Sequence, residues 1–529
     1  MGIPSYFSHI IKNYPNVLIK FEKLFIVNNL FLDSNSIIYD CIRDIKYNNN
    51  NNDYEKKLIN AVCKKIEDYI QQISPNNLVY ISFDGVAPVA KLNQQKNRRY
   101  KSWFINNYDS SSDSKIYWDS TAITPGTDFM NKLNLQLKYH FRSHIPYKVK
   151  KIIISGSDEP GEGEHKIFEY IRINHEKIKD EKCVIYGLDA DLIMLSINHL
   201  NLINNMYLFR ETPDFIKSID NSLDPNLLYI IDIPVFKDNL VYYLNYDKIP
   251  EEEYEKNRVY DYIFLCFLLG NDFLPHFPAL NIRTNGIDII LETYRNILGK
   301  GKKNIINSNK EIQWKNFKLL INELANNEEE YIITEHRKRN KLEKNKIKFN
   351  EKESKFDKEM LHIPIKERFV EKYINPLDKY WESRYYDMLF DIDTIDDLKK
   401  KEISLNYLEG LEWTWYYYSS DCLDWRWKYN YHYPPLLCDL VKYIPYFDTR
   451  LIETKNKNPV KEYMQLSYVL PKQSLYLLPR KIEFELLSKL NKNYQTNYEF
   501  KWAYCKYFWE CHVDFPNITI EDLEKILDN

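Results

Sequence analysis

Seven carboxylates in the first 300 residues stand where apolar runs end or the chain turns tightly. They are Asp33 in DSNS, Asp84 in FDG, Glu162 and Glu164 in PGEGEHK, Asp189 and Asp191 in GLDADL, and Asp272 in LLGNDFLP. Gathering so many anions is costly in repulsion and desolvation unless cations neutralise them. Hard oxygen ligands select Mg²⁺, with Mn²⁺ able to substitute. Two such ions about 3.5–4 Å apart can activate a water and stabilise the leaving oxygen of a phosphodiester. Phosphodiester hydrolysis is therefore the reaction that suits these residues. A single aspartate at a strand end is ordinarily a cap or turn former, but seven in this pattern exceed what capping accounts for. PGEGEHK has the look of a phosphate-cradling glycine loop, yet its two glutamates would repel an anion and the GxxxxGK[ST] spacing is absent. With no GxSxG and no Cys/His pairing, covalent catalysis has no candidate.

Directly after Asp84 comes GVAPVAKLNQQKNRRYKSW, which should turn helical after Pro88. Lys91, Gln95, Arg98 and Arg99 fall at i, i+4, i+7 and i+8, on one helix face. By itself such a stripe reads as a solvated basic face. Beside a metal site it makes a pocket for a terminal phosphate, with forked donors from arginine, a point charge from lysine and a neutral donor from glutamine.

The elements that must hold these residues follow from the apolar pattern. Short apolar runs alternate with helical patterns through the first 300 residues, the mark of an α/β fold with a mostly parallel sheet flanked by helices. The runs 24–32, 78–83, 149–154 and 183–188 are candidate strands. Three of them lead straight into Asp33, Asp84 and Asp189, at the carboxyl ends of strands where α/β sheets bind ligands. We divide the chain into a nuclease region over 1–298, a charged helical connector over 299–360, and a second, aromatic-rich helical module over 361–529. The stretch RKRNKLEKNKIK at 337–348 has too few apolar residues to pack a helix face firmly, so the connector is expected to be exposed. The asparagine run at 48–52 and DSSSDS at 109–114 read as solvated loops.

A chain of 529 residues with 44% hydrophobic content can bury a large core. The apolar run at 262–269 is far short of the ~20 residues that cross a bilayer, so no membrane segment is expected, and the amino terminus lacks the apolar core and cleavage site of a secretory signal. Tyr6 stands where a myristoylation motif beginning at Gly2 needs Ser or Thr. The eight cysteines form no CxxC pair, which argues against zinc and for a reducing compartment, taken here as the cytoplasm. A net charge of −3 excludes a passive basic coat on nucleic acid, so any such contact is local. Abundant Asn, Lys, Ile and Tyr reads as coding bias of an A/T-rich genome.

At these residues the sequence resembles the Xrn family of 5′→3′ exoribonucleases. MGIPSYF, FDGVAPVAKLNQQKNRR, ITPGTDFM, PGEGEHKIFEYIR, YGLDADLIML and FLLGNDFLPH follow in the family's order, and YLEGLEWTWYYY, WRWKYNYHYPP and QLSYVLP resemble its second region more loosely. The resemblance implies a PIN/flap-nuclease-like domain buttressed by that second region, which narrows the active site to a pocket for a single-stranded 5′ end. It implies that Asp33, Asp84, Glu162, Glu164, Asp189, Asp191 and Asp272 hold two Mg²⁺ ions. It also implies that Lys91, Gln95, Arg98 and Arg99 hold the 5′ monophosphate, and that caps and triphosphates are excluded by size. The family stacks the leading bases between a histidine and a tryptophan. Tyr39 stands at the histidine position, keeping a ring for stacking, and Trp425 and Trp427 are both candidates for the second partner. The implied function is decay of single-stranded RNA bearing a 5′ monophosphate. Size and composition lead us to expect a minimal, viral-type form without the larger members' C-terminal extension.

Two other readings use the same residues. A structure-specific 5′ flap or DNA nuclease shares the acid cluster, but PHFPALNIRTNGIDII lacks the glycine pattern of a duplex-gripping helix-hairpin-helix. An inactive RNA-binding scaffold would have lost carboxylates, and all seven are present.

Overall fold

Aliphatic and aromatic runs in the first half extend into seven strands: β1 (Leu18–Lys20), β2 (Asn29–Asp33), β3 (Leu78–Ser82), β4 (Lys151–Ser155), β5 (Lys182–Tyr186), β6 (Asn205–Arg210) and β7 (Tyr229–Asp232). They form one sheet in the order β1-β7-β6-β5-β2-β3-β4. The run β6-β5-β2-β3-β4 is parallel, and β7 and β1 extend it antiparallel at one edge. This is a computed structural model, and it describes residues 3, 5–22, 25–47, 50–108, 118–211, 217, 221, 223–224, 227–249, 251–301, 303–347, 355–392, 396–494, 498–514 and 518–528. Gly2, residues 48–49 of the asparagine run and the DSSSDS stretch at 109–114 lie outside the described residues.

The helices of this half are α1 (Tyr6–Asn13), α2 (Asn35–Asp44), α3 (Asn51–Ile73), α4 (Val89–Tyr108), α5 (Asp128–His140), α6 (Gly163–Ile178) and α7 (Asp191–Asn198). Alternate strand residues feed the two sides of the sheet, as the strand period of two requires. Leu30, Leu32, Val79, Ile81 and Val184 pack with α3 and α5, whereas Phe31, Tyr80 and Ile185 pack with α6 and α7. Burial on both faces explains why these strands are short continuous apolar runs.

The register matters for the site. β2 lies between β5 and β3, with Asp33 opposite Ser82 and Leu32 opposite Tyr186. The three strands that lead into Asp33, Asp84 and Asp189 are therefore adjacent and parallel, and their acids emerge side by side. After Pro88, α4 begins at Val89, with the Leu92 N–H donating to the Pro88 carbonyl at 3.0 Å.

The aromatic second half shares part of its core with the first, and its residues 460–523 form a further cluster that takes in Val86, Ala87, Val89 and Leu92. Trp413, Trp415 and Tyr417, on the helix Asp397–Ser419, join the same buried cluster as Phe31, Tyr80 and α6. That helix is buried nearly all round, as a helix inside a large core is. The segment 299–360 also differs from the exposed connector expected of it. Its helix Glu328–Lys344 buries Glu328, Ile332, Glu335, His336 and Arg339. Arg339 forks onto Glu371 at 2.6 and 2.8 Å and donates to the Cys505 carbonyl at 2.8 Å, while Arg368 adds a second guanidinium on Glu371 at 2.6 Å. Paired charge substitutes for apolar surface here, and a count of apolar residues does not register it.

Candidate active site

At the carboxyl ends of β5, β2 and β3, Asp33, Asp84, Glu162, Glu164 and Asp189 line one cavity of about 720 Å³. Opposite them the same cavity is lined by Lys91, Gln95, Arg98 and Arg99 of α4, and Tyr39 of α2 lies at its wall, 36% exposed. Asp191, two residues after Asp189, is buried, and Asp272 reaches the cavity through its ion pair with Lys91.

Each acid is held by local structure. Asp84 accepts the Gly163 N–H at the start of α6 at 2.7 Å, so the positive end of that helix faces it. Asn35 at the start of α2 donates its side-chain amide to the same carboxylate and accepts the Asp84 N–H at 3.2 Å. Gly163 is required by proximity, because a Cβ there would lie 2.6 Å from Asp33 Oδ1. Gly161, with φ +102°, turns the loop that carries Glu162. Its N–H and carbonyl pair with the Val86 carbonyl and the Gly85 N–H, both at 2.8 Å, which ties the PGEGEHK loop to the start of the basic segment. Glu162 receives the Tyr417 hydroxyl at 2.8 Å from the second half of the chain.

The electrostatics are those of an anion cluster with Lys91 drawn in among the acids. Burial raises the Asp33 carboxyl well above the ordinary carboxylate range, and Asp84 and Asp189 push it further. Burial likewise raises Glu162 and Glu164, with Lys91 opposing it. Asp191 is pushed up to about 7 by burial, with Asp272 and Asp189 adding to it. Burial acts on Asp272 in the same sense, but Lys91, whose Nζ lies 2.7 Å from Asp272 Oδ2, holds it well below the ordinary range. Lys91 also contacts Glu162. It is thus drawn into the acids, whereas Arg98 is exposed.

Arg99 is pinned. Its Nε and Nη2 donate to Thr124 Oγ1 at 3.1 and 2.7 Å, and burial lowers its pKa to about 10. Gln95 Oε1 accepts from Arg99 Nη1 at 3.4 Å. Trp425 and Trp427 do not line the cavity. Trp427 stacks on Trp413 with centroids 5.3 Å apart, and the Trp425 carbonyl accepts the Val89 N–H at 2.9 Å.

Sequence reasoning missed Thr124, Tyr417 and His165. His165 lies inside the PGEGEHK motif, so its position is visible in the sequence. Its ring stacks on Tyr417 with centroids 3.7 Å apart, and burial holds it well below its ordinary pKa and so neutral. Donor atoms of Glu162, Glu164 and His165 all lie within 4.8 Å of one another. Among the described residues Asp191 Oδ1 and His165 Nε2 are buried with no hydrogen-bond partner. Converging buried oxygens, a neutral imidazole and orphaned ligand atoms fit a divalent cation.

Two family descriptions match the chain. One, the XRN 5′-3′ exonuclease N-terminus, covers residues 1–212, and the other, the Xrn1 helical domain, covers 253–372 and 374–528. Among curated proteins, the 5′-3′ exoribonuclease 1 of Saccharomyces cerevisiae is 28% identical over 90% of this chain and 40% of its own length. The 5′-3′ exoribonuclease 1 of Homo sapiens is 27% identical over 90% of this chain and 31% of its own length. The 5′-3′ exoribonuclease 2 homolog of Drosophila melanogaster is 26% identical over 88% of this chain and 64% of its own length. The chain thus spans between about a third and two thirds of these relatives.

Proposed function

The chain belongs to the XRN 5′-3′ exonuclease family, and from that premise we propose that it is a 5′→3′ exoribonuclease. Its substrate is single-stranded RNA with a 5′ monophosphate, which it degrades to nucleoside monophosphates in RNA decay. The observation that carries this reading is the shared cavity, with five carboxylates on one wall and the Gln95, Arg98 and Arg99 face of α4 on the other.

Asp33, Asp84, Glu162, Glu164, Asp189, Asp191 and Asp272 are the residues that would hold two Mg²⁺ ions, with Mn²⁺ as a substitute and His165 as an added donor. When bound, the ions supply Lewis-acid stabilisation of charge developing on the phosphodiester. The chain's own side chains do the rest. Arg99, locked on Thr124, and Arg98 grip the terminal phosphate, and Gln95 orients Arg99. Lys91 bridges the two walls and balances the acids, so it supplies charge to the phosphate pocket only through them. Tyr39 offers a ring to a leading base, Trp425 holds the start of α4 through its carbonyl, and Trp427 packs on Trp413. Because Gln95, Arg98 and Arg99 are assigned to a single terminal phosphate, caps and triphosphates are expected to be excluded.

Among the described residues no helix is long and apolar enough to cross a membrane. Eight free cysteines, six of them buried, support a reducing, cytoplasmic setting. The three-part division at 298 and 360 separates nuclease region, linking helices and the aromatic module that supplies Tyr417.

The test is digestion, with Mg²⁺, of end-labelled RNAs bearing a 5′ monophosphate, hydroxyl or triphosphate, beside a DNA flap. Loss of the monophosphorylated RNA alone is expected. Equal attack on all three RNA ends would remove the phosphate pocket from the account, and preference for the flap would replace the substrate class.

A further inference from the structure

A second cavity, of about 220 Å³, opens on the neighbouring flank of α4. At about 100° per residue, Lys91, Gln95, Arg99 and Ser102 occupy one helix face, and Ala90, Gln94, Asn97 and Lys101 the next one round. Arg98 falls on the edge between the two faces and lines both cavities. The rest of the partition is the Lys91 and Asp272 ion pair, with Lys91 on the carboxylate side and Asp272 on the other, 2.7 Å apart.

Charge in this second cavity is unbalanced. Of its two acids, Asp272 is taken by Lys91 and Glu510 by Arg283, at 2.5 Å. Lys101 donates to the carbonyls of Trp509 and Cys511 at 2.6 and 2.8 Å. Arg98 and Lys428 remain, with no hydrogen-bond or ion-pair partner among the described residues. Three further polar atoms on the lining, Gln94 Oε1, Asn271 Nδ2 and His276 Nε2, are buried without a hydrogen-bond partner among the described residues. Buried polar groups in folded proteins are nearly always satisfied, so these three buried orphan atoms indicate a polar occupant, and the partly buried Lys428 and exposed Arg98 beside them favour an anionic one. The partly exposed ring of Trp509 adds a surface on which a base can stack.

A processive exonuclease has a problem at each turnover. The mononucleotide just cut off carries the 5′ phosphate and sits deep in the carboxylate cavity, while the shortened RNA occupies the mouth. We propose that the second cavity binds the released nucleoside 5′-monophosphate, which leaves past Arg98 by a route separate from RNA entry. The inference rests on the exonuclease reading. Arg98 needs only to swing across the edge of α4 to carry the phosphate from one cavity to the other, where Lys428 receives it.

The experiment uses full-length protein made inactive by Asp189→Asn and saturated with 5′-monophosphorylated RNA, so that the first cavity is filled. Uridine 5′-monophosphate is then titrated calorimetrically. One nucleotide per chain should bind. Lys428→Glu, which reverses the receiving charge, and Gln94→Trp, which fills the cavity, should each weaken it by about tenfold or more, with RNA affinity unchanged. Inorganic phosphate should bind more weakly with the same dependence on Lys428. Absence of nucleotide binding to the RNA-loaded protein, or binding indifferent to both variants, overturns the proposal. Failure of the RNA itself to bind would overturn the exonuclease reading and the exit site with it.

Discussion

Removing a single hydroxyl tests how far the second half of the chain sets the chemistry of the first. Tyr417 donates to Glu162 Oε1 at 2.8 Å, and its ring stacks on His165, so Tyr417→Phe deletes the hydrogen bond and leaves the stacking in place. A hydrogen bond to a charged group contributes about 1.5–3 kcal/mol, and about 1.4 kcal/mol is tenfold. Groups that orient metal ligands from behind change metal affinity by about 10- to 100-fold when removed. The two estimates agree on a rise of about one to two orders of magnitude in the Mg²⁺ concentration for half-maximal RNA digestion. At saturating Mg²⁺ the rate should return to within a few-fold of the parent. The assay is a Mg²⁺ titration of initial rates, paired with Mn²⁺ binding by calorimetry. Tyr416→Phe, on the same helix but facing Arg450, serves as the control. An unchanged Mg²⁺ requirement in Tyr417→Phe, with the protein folded, would falsify the claim that this helix positions the metal ligands.

Gly163→Ala places a methyl 2.6 Å from Asp33 Oδ1 and 3.4 Å from Asp84 Oδ1, so digestion should fall by about 100-fold or more, as misplacement by about 1 Å does; wild-type rates would show that the loop yields freely. The pH dependence has a definite sign. Asp191, raised to about 7, and Asp33 and Glu164, also raised, bind protons in the folded protein that the unfolded chain releases near pH 4. Stability of the metal-free protein from these groups is therefore greatest below the unfolded value and is lost as pH rises through the folded ones. Added Mg²⁺ should raise the melting temperature more at about pH 8 than at about pH 6; an equal or reversed shift in a thermal melt would contradict the buried-carboxylate assignment.

The strand-end acids were legible because the strands are buried on both faces, so each apolar run ends where Asp33, Asp84 or Asp189 begins. The stripe on α4 was legible because a helix period is strict over two turns. Other features depend on contacts that no local pattern carries. β1 has three residues and is held at the sheet edge by β7 alone, β7 has four and is held between β1 and β6, and β6 is a short run bounded by Asn205 and Arg210. The stripe's spacing placed Lys91 with the arginines, but the pull of Asp272 and Glu162 is a tertiary effect. Thr124 and Tyr417 reach the site from 25 and 255 residues away from their partners. Arg339 looked solvated because its partner Glu371 comes 32 residues later.

The basic helix is clasped at several points by the far half of the chain. Ala87 N–H donates to Gln465, the Val89 N–H to the Trp425 carbonyl, and Asn97 accepts from the Val513 N–H at 3.0 Å, across 416 residues of sequence. During translation, residue 97 leaves the ribosome long before residue 513 is polymerised, and loops of that length close late. Until then Asn97 lacks its partner from the far half of the chain. A nascent chain would therefore emerge with its carboxylate strands formed and the flank of α4 around Asn97 unclasped until residue 513 has been added.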